Sequence, residues 1–236
     1  MKKICFLLII ACVFLSCEDT KTSTPTSGES QKTKTTKTTK KEKEKEKIEE
    51  EKHIFISTEN VLDFMINYGK ENPEQRVRIV TEFGNIDIKL YNETPYHRAN
   101  FIMLAKRNYF AGTQFHRVVK DFVIQGGNSD GWNIAKKRRK IGKYLLPPDT
   151  KKGFRHDRGV ISMPSGEIDN AYKMASPFEF FIVQKKGGTH HLNKEYTAFG
   201  KVIAGMDVVD EIANQETDKG EWPKKNIMIK KVEVLD

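Results

Sequence analysis

"FHRVVKDFVIQGG", residues Phe115–Gly127, holds two short apolar runs, Val118-Val119 and Phe122-Val123-Ile124, parted by Lys120-Asp121. Runs this short, bounded by polar and glycine residues, read as strands. Arg117 lies inside the first segment, and the second closes on Gln125 and the pair Gly126-Gly127. A strand that only packs has no need of arginine, glutamine and paired glycines there. The stretch is either the charged edge of a sheet or the working face of a site, and composition alone leaves both open.

The flanking sequence has the same short-strand character. Val77 and Ile79, then Ile86, Ile88 and Leu90, alternate with polar residues around Phe83-Gly84-Asn85, a hairpin pattern. Further strand candidates are Phe115–Val119, Val123–Gln125, Val160–Met163, Phe178–Val183, Ala198–Ile203 and Ile227–Leu235. Three helices are predicted. Ser57–Pro73 has Ser57 or Thr58 as cap, a stripe of Val61, Leu62, Met65 and Tyr68, and a stop at Gly69. A second opens at Thr94-Pro95 with Phe101, Ile102, Leu104 and Ala105 on its apolar side, and Met206–Ala213 is the third. There is no βαβ rhythm and no repeat, so the expectation is an all-β barrel or sandwich with helical plugs.

The 236-residue chain opens MKKICFLLIIACVFLSC. Lys2 and Lys3 precede an apolar run, Ile4–Leu15, that is short for a membrane-spanning helix. A basic start, a short apolar stretch and a small residue describe a secretory signal peptide. Ser16-Cys17 resembles the lipobox of bacterial lipoproteins, in which the cysteine is acylated; Phe14 departs from the usual leucine, and Ile9-Ile10-Ala11-Cys12 is a competing site. Cys5, Cys12 and Cys17 are the only cysteines, so a chain acylated at Cys17 keeps no thiol for a disulfide. Residues 18–53 lack large apolar side chains apart from Ile48 and are expected to be a disordered tether, with a reach on the order of 30–35 Å. Twelve of the 41 basic and nine of the 32 acidic residues precede Ile54, which leaves 29 against 23, a net of +6, on the remainder. That surplus bears on solubility and association rather than on fold.

Most motif-borne chemistry is missing. The sequence has no phosphate-cradling glycine loop, zinc-spaced Cys/His set or nucleophile elbow. His190-His191 has no third ligand spaced nearby, so no metal is expected. Lys136-Lys137-Arg138-Arg139-Lys140, followed by Lys143, Lys151 and Lys152, has the charge of a nucleic-acid patch but lacks interleaved stacking aromatics except Tyr144. It reads as a basic surface loop, and no nucleic acid is expected as partner.

The residues around the opening stretch carry a specific resemblance. GTQFHRVVKDFVIQGG (112–127) resembles the signature of cyclophilin-type peptidyl-prolyl cis-trans isomerases, and GVISM (159–163), FEFFIV (178–183) and AFGKVIAGMDVVDEI (198–212) follow in the family's order. TEFGNIDIKLY and TPYHRANFIMLAK resemble the family's beginning. The resemblance implies an eight-stranded closed antiparallel β-barrel capped by two α-helices over residues 77–236, here with an extra helix within 54–76.

It also implies a reaction without covalent chemistry. Rotation about a peptide bond meets a barrier of about 18–20 kcal/mol from amide resonance, and a donor that favours a single-bonded prolyl nitrogen lowers it. No metal or cofactor is implied. Arg117 matches the family's catalytic arginine and Gln125 the glutamine that orients it and contacts substrate backbone. Phe122, Val123, Phe181 and Leu192 match the proline pocket, and Tyr196 its rim; Ser165, Glu179 and Phe180 fall in segments that border substrate. Bare alternation would put Val123 and Gln125 on one face and Phe122 on the other, so their convergence is implied by the resemblance alone. Departures are Val123 for methionine, Glu179 for glutamine (a negative charge expected near Arg117), Pro164 in the substrate-pairing segment, and His191 where drug-sensitive members carry tryptophan.

The expected partners are proline-containing polypeptides and, through Cys17, a membrane. The chain is expected to be monomeric and to act on exported proteins at the cell envelope, in the periplasm or on the cell surface. The alternatives are a proline-peptide binding module or chaperone with little turnover, and a basic adhesin for acidic polymers.

Overall fold

The computed structural model describes residues 54–166 and 170–236. The expected signal peptide, tether and acylated Cys17 lie outside the described residues.

Eight strands close a barrel: β2 (Arg76–Thr81), β3 (Asn85–Leu90), β4 (Thr113–Val118), β5 (Val123–Asn128), β7 (Val160–Ser162), β8 (Phe180–Val183), β9 (Ala198–Ala204) and β10 (Ile227–Val234). Around the barrel they run β10-β2-β3-β9-β7-β8-β5-β4, with every neighbouring pair antiparallel. Closure leaves the barrel itself without a free edge. Period-two patterning fills the interior as the sequence predicts: Val77, Ile79, Ile86, Ile88 and Leu90 are all fully buried. They meet an aromatic centre in which Phe101, Phe110, Phe115 and Phe180 pack edge-on or tilted, with centroids 4.8–5.9 Å apart.

Helix α1 (Val61–Glu71) belongs to the N-terminal extension, α2 (Pro95–Lys106) packs on β9 and β10, and α4 (Met206–Ala213) packs on β3 and β5. Three details of α1 differ from expectation. Its N-cap is Asn60, whose side chain instead bonds the Ser57 N–H (2.9 Å) and the Phe55 carbonyl (3.0 Å). Leu62 is exposed. Gly69 does not stop the helix: it is buried at a crossing with α2, where an added Cβ would stand 3.2 Å from that of Ala99. The helix runs on to Glu71, and Arg98 of α2 clasps its end: the guanidinium donates to the carbonyls of Gly69 (2.8 Å) and Asn72 (2.8 Å), acceptors that the helix end leaves over, and to that of Glu74 (3.1 Å) beyond it.

Helix α2 is buried nearly all round from His97 to Ala105, beyond the single apolar side expected. Asn100 satisfies its amide with Pro177 O (2.8 Å) and the Tyr144 hydroxyl (2.7 Å). His97 has no hydrogen-bond partner on either ring nitrogen among the described residues, and burial pulls its pKa down to about 3.

Two elements lie where sequence suggested a loop. Trp132–Ile141 is helix α3, seated by Ile134 and Ile141, and β6 (Gly142–Lys143) after it pairs in parallel with β1 (Ile56–Ser57). Gly142 sits at positive φ (152°), and a Cβ there would come within 2.0 Å of Ile56 O, so only glycine lets the two chains meet.

Candidate active site

Alternation divides β5, β7, β8 and β9 into two faces. Ile124, Ile161, Phe180, Ile182 and Phe199 enter the barrel core, while Val123, Val160, Phe181, Val183 and Ala198 form a second cluster on the other face. Phe122, Phe154, Leu192 and Tyr196 pack against that second cluster. Phe180, expected beside the substrate, is therefore inside the barrel: neighbours on a strand point to opposite sides, and Phe181 takes the outward place.

Two irregularities bring Arg117 and Phe122 onto the outer face. Along β4 and β5 the register runs Phe115↔Gly126 and then Arg117↔Gln125, so one residue is bulged out between them. Without the bulge Arg117 would share the inward face of Phe115; with it, Arg117, Gln125 and Phe181 form one cross-strand row. Phe122 is not in a strand. It ends a tight turn closed by its N–H bonding Val119 O (3.1 Å), with Asp121 at φ 57°, and so escapes the alternation that would have turned it away. The paired glycines have a packing reason. A Cβ on Gly126 would touch Phe115 at 3.0 Å, and one on Gly127 (φ 97°) would strike Phe178 O at 2.4 Å.

The result is a groove of about 420 Å³ lined by Arg117, Phe122, Val123, Gln125, Pro164, Ser165, Phe181, Leu192 and Tyr196. Eight of the expected site residues thus converge, from β4, β5, β8, the strand-free segment after β7 and the turn at His190–Leu192. Its floor is apolar, and its donors are the Arg117 guanidinium, the Gln125 amide and hydroxyls of Ser165 and Tyr196. Tyr196 meets Phe181 edge-on (5.7 Å, 89°), and His191 stacks on Phe122 (5.6 Å, 10°), extending the wall outward. Ser165 bridges to Ala175 through a bond from Ser176 N–H to Pro164 O (2.7 Å), which leaves the Ser165 N–H out of that contact.

Arg117 is held differently from expectation. Its Nε donates to Glu221 Oε2 at 2.6 Å, and the guanidinium carbon lies 5.8 Å from the centroid of Phe122. Gln125, expected to orient it, instead donates to Glu179 at 3.1 Å. Glu221 sits at φ 64° in a turn that Asp218 pins by accepting the N–H groups of Gly220 (2.8 Å) and Trp222 (2.9 Å). Its carbonyl accepts the Val118 N–H (2.9 Å), tying the turn to β4 beside Arg117. Nothing in the sequence marks Glu221 as part of the site.

Glu179 is not a groove-lining residue; it stands behind Gln125. Burial pushes its carboxyl upward, but His116 (3.6 Å), Arg138 (3.5 Å) and Gln125 outweigh that and hold it below the ordinary carboxylate range. Asn128 also donates to it (3.2 Å). The negative charge expected near Arg117 is thus compensated locally, by a cation from α3. Arg138 is fixed in turn by the Tyr109 hydroxyl (2.9 Å) and the face of Phe178 (5.3 Å).

His156, which sequence reading passed over, backs the floor. It is fully buried, stacks on Phe181 (5.9 Å, 17°) and bonds Ser162 Oγ (3.1 Å) and Asn193 Oδ1 (3.0 Å), fastening the groove wall to β7. Burial lowers its pKa, so it is neutral near pH 7.

Comparison with known proteins agrees with this geometry. The family model for "Cyclophilin type peptidyl-prolyl cis-trans isomerase/CLD" matches residues 76–234. A peptidyl-prolyl cis-trans isomerase-like 2 of Rhizopus delemar is 35% identical over 71% of this chain, which spans only 30% of that protein. An isomerase-like 3 protein of Dictyostelium discoideum is 32% identical, over 67% of this chain and 94% of its own length. A peptidyl-prolyl cis-trans isomerase of Acinetobacter baylyi is 34% identical over 60% and 73% of the two chains. The crystal structure of a Cryptosporidium parvum cyclophilin-type isomerase superposes with a TM-score of 0.58 at 29% identity, covering 69% of this chain and 98% of that one. The same protein has been crystallised in the presence of the dipeptide Ala-Pro.

Proposed function

The chain belongs to the cyclophilin-type peptidyl-prolyl cis-trans isomerases, and on that premise we propose that it accelerates rotation about X-Pro bonds in polypeptides held in the Arg117 groove. The observation that carries this reading is the juxtaposition of a fixed guanidinium with an apolar floor in one cavity. The proline ring seats on Phe122, Val123, Phe181 and Leu192, with Tyr196 at the rim. Burial of the ring holds one side of the bond while the preceding residue turns. Among the described residues Arg117 bonds only through Nε, to Glu221, which leaves both terminal amino groups to donate toward the prolyl nitrogen. A donated bond favours the pyramidal nitrogen of the twisted state over the planar amide, and a donor fixed in advance needs no reorganisation during turnover. Gln125 and the Ser165 N–H bind substrate backbone on either side. No bond is broken, so no nucleophile, metal or cofactor takes part.

A protease-coupled proline-peptide assay tests the proposal. Wild type is expected to exceed the uncatalysed rate, and Arg117→Ala to fall back towards it. Both proteins at the uncatalysed rate would leave only a proline-peptide binding module. For the cellular setting, MKKICFLLIIACVFLSC supports export with acylation at Cys17, and folding of exported proteins at the envelope as the task. Palmitate labelling that is lost in Cys17→Ala is the expected result, and label that persists refutes the site.

A further inference from the structure

Helix α3 carries five cations and no acid. Two are spent inward: Lys137 donates to the carbonyls of Asn108 (2.8 Å), Tyr109 (3.2 Å) and Ala111 (2.7 Å), and Arg138 serves Tyr109 and Glu179. The other three, Lys136, Arg139 and Lys140, are exposed, as is Lys143 on β6, and none of these four is ion-paired among the described residues. Apolar groups stand among them. Trp132 is 70% exposed, with the Arg139 guanidinium 4.8 Å from its ring centroid. From Arg139 a shallow hollow of about 420 Å³ continues past Lys143 and Leu145 to Phe55, which is 52% exposed beside Ile54 at 56%.

Each part of this face is unfavourable in water alone. Large apolar groups are left wet, and four like charges repel one another with no acid between them. One surface answers both conditions at once: a bilayer with anionic headgroups. Indole and phenyl rings settle at the headgroup level, while lysine and arginine stems lie along the apolar boundary with their charges on phosphate. A soluble polyanion would satisfy the charges but would leave Trp132, Phe55 and Ile54 unburied. The location agrees with this. Residues 1–53, which include the apolar run Ile4–Leu15, join the fold at Ile54, within this same patch.

We propose that the face formed by α3, Lys143, Phe55 and Ile54 docks on anionic phospholipid. This goes beyond the isomerase reading and beyond any acyl anchor, because it assigns the contact to the folded part. The test is flotation of the full chain carrying Cys17→Ser, so that no acyl group contributes, with vesicles of phosphatidylcholine alone or containing phosphatidylglycerol. Binding to the phosphatidylglycerol vesicles is expected to be salt-sensitive and to weaken roughly 100-fold or more when Lys136, Arg139, Lys140 and Lys143 are all changed to Glu. Trp132→Ala is expected to weaken it about tenfold at unchanged charge. Binding to pure phosphatidylcholine, circular dichroism and isomerase turnover are expected to be the same for wild type and the fourfold variant. Equal flotation of wild type and the fourfold variant overturns the proposal. So does binding to a short oligonucleotide that is as tight as to vesicles and indifferent to Trp132→Ala, which would make this a general polyanion surface.

Discussion

Removing the Glu221 carboxylate is expected to slow catalysis while leaving the fold nearly intact. The Arg117–Glu221 pair is short (2.6 Å), but its side chains are 37% and 42% exposed. Solvent screening limits such a pair to about 0–1 kcal/mol of stability, so Glu221→Ala shifts the melting temperature by only a few degrees. The kinetic effect has another origin. In the wild type the long arginine side chain is ordered in advance; in the variant it must be ordered at each encounter with substrate. Immobilising a rotamer-rich side chain takes about 0.5–1.5 kcal/mol, which corresponds to a loss of roughly 2- to 13-fold in kcat/KM. The contact with Phe122 survives the substitution and keeps the effect below that of Arg117→Ala. Glu221→Gln retains an acceptor and falls between. The assay is the protease-coupled measurement at fixed pH, with thermal melts alongside. Full activity in Glu221→Ala while Arg117→Ala is inactive would refute a positioning role. A rate above wild type would mean that the carboxylate competes with substrate for the guanidinium.

Adjacent phenylalanines on β8 are expected to behave oppositely. Phe180→Ala empties the aromatic centre and destabilises by about 3–5 kcal/mol in denaturant titration, whereas Phe181→Ala acts first on KM. A larger stability loss for Phe181 than for Phe180 would reverse the assignment of faces. Glu179→Gln is expected to change kcat/KM less than about threefold, since Arg138 already compensates the charge; a larger gain would mean that Glu179 opposes Arg117 directly. Acid is expected to weaken the fold through His97. Its folded pKa of about 3 lies below the unfolded value of 6.5, so the unfolded chain takes the proton first and stability, complete above pH 6.5, is lost as pH falls towards 3. The loss is about 2 kcal/mol by pH 5, and His97→Leu should flatten that part of the stability–pH curve; an unchanged slope would contradict it.

Alternation suffices to put Val77, Ile79, Ile86, Ile88 and Leu90 inside, because on those strands only one face is dry. It fails on FFIV (180–183), where both faces are buried and no polar residue marks the outer one. The family's motifs locate Arg117, Phe122, Val123, Gln125, Phe181, Leu192 and Tyr196, yet the bulge and turn that bring them together leave no mark in the hydrophobic pattern. WNIAKKRRKI conceals a helix because its buried positions, Ile134 and Ile141, lie seven residues apart amid charge. The acceptors that stabilise Lys137 and Arg138 come from residues 108–111 and 179. Glu221 is 104 residues from the arginine it holds, beyond the reach of any local reading.

The short parallel pairing of Ile56-Ser57 with Gly142-Lys143 also decides how the molecule bears mechanical load. Tension applied through residues ahead of Ile54 travels along the chain and meets this two-residue pair first, then α1 with its Arg98 clasp, and only afterwards β2. Both β1 and α1 lie ahead of β2 and outside the closed strand order, so their release breaks no pairing between barrel strands, a fuse placed ahead of the Arg117 groove.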